Sequence, residues 1–101
     1  MQNLAKMKKE KCESLVQARE KIDSIDSAMI ELIAQRQFYV DQAVRFKSSV
    51  QDVQSPERAN QVIVRVRAEA AEQGVSADLV EKIYREMIQH FIQRELKELR
   101  P

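Results

Sequence analysis

Five charged side chains stand where a helical chain has least use for them. Arg36 falls inside an apolar heptad stripe, where an unpaired guanidinium is costly to bury and calls for an anionic partner. Either that partner exists or the side chain snorkels to the surface. Lys47 comes eleven residues later, close to three whole turns, so on a continuous helix the two cations share a face about 16 Å apart along the axis. Long side chains leaning inward narrow that gap to the size of a small dicarboxylate; an ordinary helix-end lysine would instead face the C-terminal dipole. Arg19 lies seventeen residues before Arg36, about 26 Å along the same rod. One small ligand cannot touch both on one helix, so if both serve one site, Arg19 comes from a partner chain. Arg58 stands where a further helix begins, against the helix dipole. A ligand carboxylate would compensate it, or Glu57 or Asp52 would pair with it. Glu95 is spaced three or four residues from Phe91, Ile92 and Leu99. In such apolar company a carboxyl tends to hold its proton and donate a hydrogen bond, unless that face is solvated. Four cations and one acid suit the binding of a di-anionic small molecule.

Other chemistry is poorly served. One glycine leaves no glycine-rich phosphate loop. One histidine, His90, and one cysteine, Cys12, leave no metal cluster and only a very weak nucleophile pair; no metal or cofactor is expected. Cys12 alone forms no intramolecular disulfide and fits a reducing compartment. Seventeen Lys and Arg against sixteen Asp and Glu give a net charge of +1, well short of the basic excess usual in nucleic-acid or membrane-surface binders. The basic segments Val44-Arg45-Phe46-Lys47 and Val64-Arg65-Val66-Arg67 have acids nearby and read as solvated faces. No apolar run is long enough to span a bilayer, and none succeeds the basic start as in a signal peptide. The expectation is a cytoplasmic protein with a frayed segment over residues 1–11 and one domain over 12–101.

The elements that must carry these residues are helices. Only one Gly and two Pro interrupt a chain that is 33% charged, with abundant Ala, Glu, Gln, Lys, Arg and Leu. Leu15, Ala18, Ile22, Ile25, Met29, Leu32, Arg36, Tyr39, Ala43 and Phe46 are spaced alternately three and four apart, which predicts one helix from about Glu13 to about Ser48. At about 50 Å it would overhang a domain of about 13 Å radius of gyration, and its stripe would stay wet unless a second copy covered it. After a break at Ser49–Gln54, Ser55 and Pro56 predict a helix start. Ala59, Val62, Ile63, Val66 and Ala70 face inward, and Gly74 ends the helix. Ser76 caps a third helix carrying Leu79, Val80, Ile83, Tyr84, Met87, Ile88, Phe91, Ile92, Leu96 and Leu99. The fold class is all-α: long helix, short helix, medium helix, with a second copy most simply placed by a two-fold axis.

In this light the chain resembles the all-helical chorismate mutases and, among them, the isochorismate-pyruvate lyases. The likeness runs from about Cys12 to about Leu96. It rests on Ala18-Arg19-Glu20-Lys21-Ile22-Asp23 with Ile25-Asp26, on Ala34-Gln35-Arg36, on Arg45-Phe46-Lys47 and on Ser55-Pro56-Glu57-Arg58. No single motif is specific; the four basic residues at the family's spacing are so together. The resemblance implies an intertwined helical homodimer with two identical active sites. Arg19 reaches the neighbouring chain's site, Arg36 and Arg58 bind substrate carboxylates, and Lys47 contacts a carboxylate and the breaking ether oxygen, which Glu95 also reaches. It implies rearrangement of chorismate to prephenate, with isochorismate cleavage to salicylate and pyruvate as the alternative. A non-enzymatic helical dimer ranks third. Two positions depart from the bacterial mutase pattern: Ser55 and Ala59 replace acids that the lyases also lack. Glu95 leans the other way, because the lyase pattern has Gln there.

Overall fold

In the computed structural model the described residues are 8–98, and among them every regular element is helical. Expectations for Met1–Met7 and Leu99 lie outside the described residues. The helices are α1 (Leu15–Val44), α2 (Val50–Gln54), α3 (Pro56–Glu72) and α4 (Ala77–Glu98). The chain divides into two compact units, Met1–Tyr39 and Val40–Pro101.

The first unit contributes most of α1. Its start is fixed locally, because the Ser14 Oγ accepts the Gln17 N–H at 3.1 Å and the Gln17 side chain takes the Glu13 N–H at 2.7 Å. No residue of α1 is buried. Ile22, Ile25, Met29 and Leu32 keep about half or more of their surface exposed, and Tyr39 keeps 68%. Thus the heptad stripe is helical as expected from Leu15 to Ala43, and its large apolar side chains stay exposed.

The end of α1 corrects the expected helix, which ran to about Ser48. The helix stops at Val44, although no Gly or Pro is near. The cause is the start of α2. Ser49 is the N-cap of that helix, with extended backbone at φ −144° and ψ 163°, and its hydroxyl accepts the Asp52 N–H. The Asp52 carboxylate in return accepts from the Ser48 N–H at 3.1 Å and the Ser48 hydroxyl at 3.3 Å. An N-cap residue cannot also continue the preceding helix, so capping α2 ends α1. The last carbonyls of α1 are closed by tighter bonds from Arg45, Phe46 and Lys47 N–H groups to the residues three back. Hydrogen bonds to its carboxylate, from the Ser48 backbone above all and then from Ser49, hold Asp52 below its ordinary pKa.

In the second unit α3 packs on α4, and α2 also contacts α4. The buried apolar residues are Val53 of α2, Val62, Ile63, Val66 and Ala70 of α3, and Phe91 of α4. The α3 set recurs at helical spacing and leaves Val64 on the outer face. Ser55 caps α3 through the Arg58 N–H. Gly74, at φ 73°, lets the chain turn left-handed; Gly74 N–H then bonds Ala71 O at 3.1 Å and Val75 N–H bonds Ala70 O at 2.9 Å. Ser76 caps α4 by accepting the Leu79 N–H. Across this turn Arg67 pairs with Asp78 at 2.9 Å and Glu81 at 2.8 Å, and Arg85 also holds Glu81. The hydrogen bonds that Arg67 donates to Asp78, then to Glu81, raise its pKa, while the hydrogen bond from Arg85 above all lowers that of Glu81. Of the apolar residues that α4 carries, Phe91 is buried, whereas Leu79 and Ile83 are exposed.

Candidate functional site

Glu95 is the one buried charged residue among those described, with 5% of its surface exposed. The α3–α4 packing explains this. Glu95 lies one turn after Phe91, so the face that buries Phe91 carries the carboxylate inward as well. A buried carboxylate demands a counter-charge, and Lys47 supplies it. The Nζ donates to Oε1 at 3.4 Å and to Oε2 at 3.3 Å. The Lys47 side chain keeps 27% exposure, so this cation touches both the interior and the solvent.

Lys47 therefore stands differently from the expectation of a helix-borne cation one face along from Arg36. It lies beyond α1, in the stretch between α1 and α2, with its N–H tied to Val44 O at 3.1 Å. The apolar neighbours of Glu95 suggest a hydrogen-bond donor; in this chain it accepts two hydrogen bonds from the ammonium.

The remaining candidates lie on α1 and α3. Arg58 is exposed in the first turn of α3, and neither Glu57 nor Asp52 forms an ion pair with it among the described residues. The Asp52 carboxylate is instead engaged by Ser48. Arg36 is half-buried and Arg19 is exposed, both on α1. In the basic segment 64–67 the cations stay at the surface, Arg65 paired with Glu69 and Arg67 with Asp78 and Glu81, although Val66 is buried; in the segment 44–47 Lys47 instead holds buried Glu95. No group of three His, Cys, Asp or Glu able to hold a metal occurs among the described residues.

One ion pair has no signal in the sequence. Arg94 Nη2 lies 3.2 Å from Asp41 Oδ2, joining α4 to the last turn of α1. The partners are 53 residues apart, and nothing in their spacing links them.

The sequence profile of the family described as chorismate mutase type II matches residues 18–96. This chain belongs to that family. The match takes in Arg19, Arg36, Lys47, Arg58 and Glu95 together. Among chorismate mutase type II relatives, an isochorismate pyruvate lyase from Pseudomonas aeruginosa is 33% identical over 88 residues, spanning 87% of this chain and 87% of that protein. A chorismate mutase from Methanocaldococcus jannaschii is 30% identical over 79 residues, spanning 77% of this chain and 80% of that protein. The two relatives are named for different reactions, which leaves the choice of reaction to the site.

Proposed function

We propose that this chain is a chorismate mutase, converting chorismate to prephenate in a site completed by a second copy. The observation that carries the proposal is the Lys47–Glu95 pair, an ammonium held at the edge of the interior by a buried carboxyl in a chain of this family. The reaction breaks an ether C–O bond as a C–C bond forms, and negative charge gathers on the ether oxygen. Lys47 donates to that oxygen and to a carboxylate, and Glu95 sets where the ammonium stands. Arg36 and Arg58 bind the substrate carboxylates and hold the ring in its reactive shape. Arg19 of the second copy closes the site. Fixed cations stabilise the developing charge without reorganising when the bond breaks. No step calls for a nucleophile or a cofactor.

Support for the second copy comes from α1. A stripe of Ile22, Ile25, Met29 and Leu32 left open to water invites a partner of the same shape, most simply through a two-fold axis. The lone Cys12 supports a reducing, cytoplasmic setting, and no described helix is long and apolar enough to cross a membrane.

Isochorismate cleavage to salicylate and pyruvate is the second reading. It is favoured by the 33% identity to an isochorismate pyruvate lyase and by Ser55 and Ala59 standing where mutases carry acids. One experiment separates the two: give the purified chain each substrate and identify products. Prephenate from chorismate supports the first reading, and salicylate from isochorismate the second. A folded dimer that forms neither product ends both.

A further inference from the structure

We propose that the Asp41–Arg94 ion pair is a positioning device that sets where the Lys47 ammonium meets Glu95. Arg94 and Glu95 are consecutive on α4, so their side chains leave the helix about 100° apart. Each grips the same short stretch of chain: Arg94 holds Asp41 at 3.2 Å, and Glu95 holds Lys47 at 3.3 Å. A single contact would leave α4 free to roll or slide beneath that stretch. Slippage by one residue moves a helix about 1.5 Å and turns it about 100°, enough to carry the Glu95 carboxylate away from the ammonium. Two contacts in diverging directions remove both motions.

Lys47 needs such help because it has no helical backbone of its own. Its N–H hangs on Val44 O at 3.1 Å, so its placement is inherited from the last turn of α1, where Asp41 sits. The pair has little else to contribute. Its side chains are 38% and 45% exposed, a setting in which ion pairs add little stability. Moreover, Arg94 Nη1 is shut away from solvent with no hydrogen-bond partner among the described residues, which is an energetic loss. Its effect therefore belongs to geometry more than to stability. The consequence for turnover rests on the function proposed above; the placement of Lys47 does not.

The test uses the full chain with Asp41→Asn, Arg94→Met, Arg94→Lys and the exchanged double variant D41R/R94D. Acetic anhydride at limiting dose, read by peptide mass spectrometry, reports the acetylation rate of Lys47 relative to exposed Lys82. Asp41→Asn and Arg94→Met are expected to raise that ratio severalfold, as local release does, while Arg94→Lys and the exchanged pair return toward the parent value. With chorismate, Asp41→Asn is expected to lower kcat on the order of 10-fold with KM within about 2-fold, as small misplacements do. An unchanged Lys47 ratio in Asp41→Asn, or an equal rise at every lysine, overturns the proposal. If the parent chain turns over neither chorismate nor isochorismate, the functional reading fails, and the labelling ratio still decides this one.

Discussion

Removing Lys47 should cost far more stability than neutralising Glu95, although both break the same contact. In Lys47→Met the carboxylate stays in a place with 5% exposure and loses its counter-ion. In Glu95→Gln the ammonium stays with 27% exposure and swings into water. At 3.3 Å the direct attraction is about 5 kcal/mol at an effective dielectric of about 20 and about 1 kcal/mol in bulk water. Stranding a fully buried charge costs about 3–5 kcal/mol. Because the ammonium end of this pair is open to solvent, about 2 kcal/mol is expected for Lys47→Met, and less than about 1 kcal/mol for Glu95→Gln. The double variant Lys47→Met with Glu95→Gln should be more stable than Lys47→Met alone, since no charge is left stranded. Urea unfolding monitored by circular dichroism, at one fixed chain concentration, gives all four corners of the cycle. Equal losses for the two single variants, or a double variant no better than Lys47→Met, would refute the account of Glu95 as a buried carboxylate dependent on Lys47.

Other parts of the molecule lead to further expected outcomes. Ile25→Glu or Leu32→Glu puts a charge into the open stripe of α1, and sedimentation velocity should then show monomer where the parent chain shows dimer. Mixing the inactive variants Arg19→Ala and Lys47→Ala, unfolding them together and refolding should restore about a quarter of the parent sites, because half of the dimers are mixed and each holds one intact site; no recovery would exclude a two-chain site. Arg58→Ala should lower kcat/KM by 10-fold or more, on the order of one lost charged contact, with circular dichroism unchanged. Asp52 is lowered from its ordinary value of 3.8, so its cap contributes above that value and is lost as pH falls through the lower, folded value; amide exchange of α2 should quicken there, and Asp52→Asn should remove the dependence.

The local punctuation of this chain is readable because its causes are local. Ser55-Pro56, Gly74 and Ser76 act on backbone groups within a few residues, and each does in the structure what its type suggests. The helical rhythm of α1 is equally plain, as is the buried strip Val62, Ile63, Val66 and Ala70. What the sequence hides are competitions. No breaker marks the end of α1, which is decided by Ser48 and Ser49 serving the next helix instead. The heptad rhythm consequently places Lys47 on a helix to which it does not belong. Glu95 can be singled out by its apolar neighbours, but its tie to a residue 48 positions away cannot, and Asp41 with Arg94 has no local signature at all. Long-range pairs between exposed-looking charges arise only once helices have packed.

That Lys47 sits between helices leaves a simple way to vary where its amine stands. Inserting one residue into α1 would swing every later side chain by about 100° and scramble the rest of the stripe. The same insertion between Arg45 and Ser49 leaves both neighbouring helices intact and changes only how far one amine extends and at what angle. A scaffold built this way can adjust the reach of that amine in small steps, while its framework stays untouched.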